Sequence, residues 1–107
     1  MKNEIQLRSE IRSIVDQLVE KYQPEKVILF GSAVRNEWGK DSDLDFCIIK
    51  TNVPEMNLER RWQVRKLIKK SVPVDFLVYK PEEFEYELLR KNPFFLTLLK
   101  EGEVLYG

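Results

Sequence analysis

Apolar residues recur every three or four positions from Glu4 to Tyr22: Leu7, Ile11, Ile14, Val15, Leu18 and Tyr22. That period predicts a helix with one buried stripe. Arg8, Arg12, Asp16 and Glu20 take the opposite face, and Pro24 ends the element. Lys26 to Phe30 is apolar at successive positions, which predicts a central strand covered on both faces. Gly31 and Ser32 follow at once. Ser32 is placed to cap a short helical turn reaching Asn36, with its amides directed back at the strand end. Asn36 to Ser42 is polar, carries Trp38 and Gly39, and reads as a loop.

Leu44 to Ile49 predicts a second strand, and Pro54 to Lys70 a second long helix. The apolar positions of that helix are Met56, Leu58, Trp62, Val64, Leu67 and Ile68. Arg60, Arg61, Arg65, Lys66, Lys69 and Lys70 lie between them. Such a run reads as a solvated face, with contact to a polyanion or an acidic partner as the alternative. Val72 to Tyr79 predicts a third strand, with Pro73 near its start where a missing amide is tolerated. A helix begins at Pro81 with Glu82 and Glu83 in its first turn, and its apolar positions are Phe84, Leu88 and Leu89. Asn92 and Pro93 open another helix that Gly102 closes. Glu103 to Tyr106 fits a short edge strand. No repeat or linker interrupts the pattern. It predicts one α+β domain over residues 1–107: a two-layer arrangement with helices packed on a small mixed sheet.

Composition narrows the chemistry. The chain has 107 residues, with 18 Lys+Arg against 18 Asp+Glu, so its formal net charge is zero. A dedicated nucleic-acid binder would carry a basic excess. There is no histidine, which removes histidine catalysis and histidine-ligated zinc. The single cysteine, Cys47, sits inside a strand pattern and reads as a reduced core residue of a cytoplasmic protein. No apolar run approaches membrane-spanning length, and the first ten residues are too polar for a signal peptide.

The candidate chemistry lies in three aspartates. Asp43 and Asp45 stand one residue apart at the start of the second strand, so they share a face while Leu44 and Phe46 take the other. Asp75 recurs in the third strand between Val74 and Phe76. An acid flanked this way is costly to bury without a partner. If the two strands are neighbours, three carboxylates surround a space suited to one or two Mg²⁺ ions, which take oxygen ligands. Paired ions hold the attacking and leaving oxygens of a phosphoryl displacement. Gly31 lets a ligand approach the backbone, and Ser32 adds a hydroxyl and an amide.

The stretch GSAVRNEWGKDSDLDF resembles the signature of the polymerase-beta-like nucleotidyltransferase superfamily. It has Gly-Ser, an arginine shortly after, then Ser-Asp-x-Asp, with a third acid in a later strand. The short length and the ending LLKEGEVLYG resemble the minimal nucleotidyltransferases, commonly antitoxins encoded beside HEPN-domain toxins. The resemblance implies the nucleotidyltransferase fold and two Mg²⁺ ions held by Asp43, Asp45 and Asp75, with Asp75 helping to activate the attacking hydroxyl. It implies a triphosphate, with ATP as donor, held by Gly31 and Ser32. Arg35 would contact phosphate or the motif loop, and Ser42 would contact phosphate or cap the turn. Ala33 stands where a basic residue is frequent, and Asn36 where glycine is frequent. The implied reaction transfers a nucleoside monophosphate to a hydroxyl, a tyrosine of a HEPN toxin, and so neutralises that partner. Homo- or hetero-oligomers fit this reading. The alternatives are a non-catalytic antitoxin that masks its partner, and transfer to a small hydroxylated molecule.

Overall fold

The computed structural model describes residues 4–35 and 43–107. The predicted loop from Asn36, with Trp38 and Ser42, lies outside the described residues.

The first apolar stripe folds as helix α1 (Glu4–Gln17) and continues as a wider π-helical turn over Leu18–Tyr22. Gln23 then adopts a left-handed conformation, and its amide donates to the Leu18 carbonyl. The chain therefore leaves the helix one residue before Pro24. The predicted strands form as β1 (Lys26–Phe30), β2 (Leu44–Ile49), β3 (Val74–Tyr79) and β4 (Glu103–Tyr106). Between them lie α2 (Asn57–Leu67), α3 (Pro81–Leu89) and α4 (Pro93–Glu101). Local chemistry starts the last two helices as predicted. The Glu83 carboxylate accepts from the Lys80 amide at 2.8 Å, and the Asn92 side chain accepts from the Phe94 amide at 3.1 Å. Pro81 and Pro93 occupy first-turn positions where no amide bond is lost.

One four-stranded sheet results, in the order β3-β2-β1-β4. β1 pairs antiparallel with both β2 and β4, whereas β2 and β3 run parallel with α2 as the crossover. This is the small mixed sheet of an α+β domain, with β1 inside it as its two-sided apolarity requires. Leu44, Phe46 and Ile48 of β2 and Val74, Phe76 and Val78 of β3 face the main core with Leu7, Ile11, Ile14 and Leu18. Ile28, Cys47 and Ile49 face the other way into a smaller cluster with Leu98 of α4, against which Tyr79 and Phe84 pack. The opposite face is thus partly covered too. Burial in this cluster pushes the Cys47 thiol up to about 12, so it stays protonated and inert. No helix among the described residues is long and apolar enough to cross a membrane.

The second helix departs most from expectation. It spans Asn57–Leu67, shorter than Pro54 to Lys70. Met56, Leu58 and Trp62, placed in its apolar stripe by sequence, are exposed. Arg60, placed on the solvated face, is 1% exposed. Its guanidinium uses all five N–H donors, on the carbonyls of Pro54, Glu55 and Val78 and on both Glu83 carboxylate oxygens. A buried charge is tolerated because each donor is met and the countercharge lies beside it.

Candidate active site

The polar end of the smaller-cluster face is formed by β1, β2 and β3. Alternation along β2 and β3 sends Leu44, Phe46, Val74 and Phe76 into the main core, so Asp45 and Asp75 project on the opposite side. The parallel register pairs Asp45 directly with Asp75. On its other flank Asp45 pairs with Phe30, the last residue of β1. Neighbouring strands lie about 4.8 Å apart, so the two carboxylates emerge side by side. Asp43 is exposed and stands one residue ahead of β2.

The chain leaves β1 through a tight 3-10 turn, Gly31–Ala33. Ser32 was expected to cap this turn, but the turn starts at Gly31, and no side chain caps it. Position 31 admits only glycine for two reasons. Its φ is +81°, and a Cβ there would stand 2.4 Å from an Asp45 carboxylate oxygen. The missing side chain therefore leaves room between the turn and the first acids. Gly31→Ala is expected to cost roughly 1–2 kcal/mol from the left-handed backbone alone, with displacement of Asp45 added, as urea denaturation measures.

Electrostatics mark Asp45 out. Burial raises its pKa most, the Asp75 and Asp43 charges raise it further, and Arg35 opposes them. Four of the sequence-selected residues thus act on one another here. Arg35 also lies 3.8 Å from Glu101. Beside it a hollow of about 260 Å³ runs between Phe30, Gly31, Phe94 and Leu98. Phe94 meets Phe30 edge-on at 5.8 Å.

Sequence reasoning missed Arg61. Its guanidinium donates to Asp75 at 2.6 Å. Arg61 therefore supplies a positive charge against the third acid. Among the described residues, no group of three acids or thiols stands close enough to grip one ion. The donor set itself is hard carboxylate oxygen, the chemistry that Mg²⁺ takes. A helical position one step from Arg60 was the available signal, since successive residues of a helix lie about 100° apart and the two arginines had to part company.

A family model described as the nucleotidyltransferase domain matches residues 9–99. The chain belongs to the nucleotidyltransferase domain family. A candidate nucleotidyltransferase from Sulfolobus solfataricus, known from a crystal structure, is similar with a TM-score of 0.60 and 26% identity, over 78% of this chain and 75% of that one. No protein of curated function matches. Nucleotidyl transfer is the general activity of this domain, a nucleoside triphosphate its substrate, and a divalent metal its usual cofactor. The matched span contains the Gly31 turn and all three aspartates.

Proposed function

We propose that this nucleotidyltransferase transfers AMP from ATP to a protein hydroxyl, the tyrosine of a HEPN-type toxin, and thereby acts as an antitoxin. One observation carries the catalytic part: Asp45 lies between Asp75 and the Gly31 turn on one face of the sheet. Asp43, Asp45 and Asp75 would hold the divalent cations. When bound, such ions neutralise phosphate charge and lower the pKa of the attacking hydroxyl. Asp75 accepts the proton of that hydroxyl. Gly31 lets the triphosphate lie against the backbone, and Ser32 and Ser42 offer it hydroxyl donors. Arg35, close enough to act on Asp45, balances the leaving pyrophosphate. The hollow beside Phe30 and Phe94 is the apolar space open to the nucleoside.

The acceptor assignment rests on the resemblance to minimal nucleotidyltransferases alone. Label transfer from ATP to a co-expressed neighbouring protein tests it. Labelled tyrosine with wild type and none with Asp75→Asn is the expected result. Equal neutralisation of the partner by both proteins would leave a masking antitoxin instead.

Arg61 offers an independent check on the metal assignment. Its pair with Asp75 is partly exposed, so losing it should change stability by about 0–1 kcal/mol. Arg61→Gln is nonetheless expected to tighten Mn²⁺ binding several-fold, because a competing positive charge leaves the third acid. Calorimetric titration measures this without any turnover. Weaker binding in the variant would remove Asp75 from the ligand set.

A further inference from the structure

The exposed side of α2 carries a second feature that nucleotidyl transfer does not use. Leu58, then Arg61 and Trp62, then Arg65 and Lys66 recur three and four residues apart, so they form one stripe. Between their side chains lies a shallow groove of about 660 Å³, open to solvent and walled by α2 alone. Leu58 is 72% exposed and Trp62 62%, with Met56, 65% exposed, just ahead of the helix. Lys66 lies over the Trp62 ring at 4.1 Å from its centroid. A helix face that met only water would gain nothing from Trp, Leu and Met together. One residue of the stripe, Arg61, also reaches the candidate active site, where it donates to Asp75.

We infer that this groove docks an acidic segment of the acceptor protein and brings its hydroxyl to Asp75. The inference rests on the transfer reading above, in which Asp75 receives the acceptor's proton. Charge complementarity names the partner's chemistry: three cations line the groove of a chain whose formal net charge is zero. The apolar residues separate protein from nucleic acid. Trp, Met and Arg are the residues that protein interfaces enrich. A phosphodiester chain would use the cations and the indole, but would leave Leu58 and Met56 in water. An incoming carboxylate also competes with Asp75 for Arg61, so docking releases the third acid as the acceptor arrives.

A fluorescein-labelled random Glu–Tyr copolymer tests the groove by anisotropy. A Lys–Tyr copolymer and a single-stranded RNA oligonucleotide serve as comparisons. The Glu–Tyr copolymer should bind, more weakly as salt rises. Arg65→Glu combined with Lys66→Glu should weaken it at least tenfold, and Trp62→Ala several-fold. Both variants change exposed side chains, and their unfolding curves show whether the fold is kept. Copolymer binding untouched by the charge reversal overturns the inference. So does tighter binding of the RNA that the same reversal abolishes, or a self-dimer that it dissociates, which would assign the groove to a second copy. The rise in Tm with ATP and Mg²⁺ reads the nucleotide site separately. A protein that binds the copolymer through the groove but shows no such rise keeps the docking surface and loses the transfer reading.

Discussion

Asp45→Asn is expected to reduce nucleotidyl transfer by roughly 10²–10³-fold or more, the scale for removing one electrostatic group from a transition state, and to raise the Tm of the cation-free protein. The two effects share one cause. Asp45 is crowded by burial and by the charges of Asp75 and Asp43, so its ionised form is disfavoured in the fold. A carboxyl whose folded-state pKa is raised destabilises the protein wherever it is ionised. That cost is fully present above the raised value and disappears as pH falls to the ordinary carboxylate range. The Tm advantage of Asp45→Asn should therefore be largest near neutral pH and vanish toward about pH 4. Such repulsion is what a bound cation relieves, so Mg²⁺ with ATP should raise the Tm of wild type and not of the variant. Asp43→Asn should give a smaller gain, since Asp43 is exposed. Scanning fluorimetry in chelator and in Mg²⁺–ATP, beside a radiolabel transfer assay, separates these effects. A variant that transfers normally would sink the site. One that melts lower without cations would show that the carboxylate supports the fold instead of straining it.

Much of this arrangement was legible because the strands are short and bounded by strong signals. Val27–Phe30, Leu44–Ile49 and Val74–Tyr79 are near-continuous apolar runs, and Gly31 and Pro73 punctuate them. Aspartates inside such runs stand out, since nothing in core packing requires them. The pairing of β2 with β3 was not legible. It depends on α2 returning the chain in the same direction, and only then does Asp45 meet Asp75. The second helix was misread for a related reason. Apolar residue types alone define a stripe that includes Leu58 and Trp62 and leaves out Arg60. The positions told more than the types did. Arg60, Val64 and Ile68 repeat every four residues, and all three are buried. What made an arginine acceptable there was Glu83, a partner 23 positions away that no local period reveals. The N-terminal turn of α3 was read from Pro81 and its acids, but the second use of Glu83 was not.

Arg60→Ala is expected to destabilise the protein by about 3–5 kcal/mol, the cost of removing one partner from a buried pair. Domains of this kind hold on the order of 5–15 kcal/mol in total, so the variant should be close to unfolding at physiological temperature. The loss should fall at the lower end of that range, because the Glu83 side chain is 37% exposed and can be partly rehydrated. The Val78 carbonyl, whose bond to Arg60 is buried, has no such outlet. Arg61→Ala, one residue along, should cost at most about 1 kcal/mol, since its pair with Asp75 faces solvent. Urea denaturation of the two alanine variants side by side gives the contrast directly. Acid should reproduce part of the Arg60 effect. Hydrogen bonding to Arg60 holds the Glu83 carboxyl below the usual range. Its contribution is present above the unfolded-state pKa and is lost as pH falls through the folded-state value. Glu83→Gln should therefore flatten the acid limb of the stability curve while lowering stability at neutral pH. If Arg60→Ala and Arg61→Ala unfold at the same urea concentration, the buried guanidinium does not hold α2 against β3 and α3.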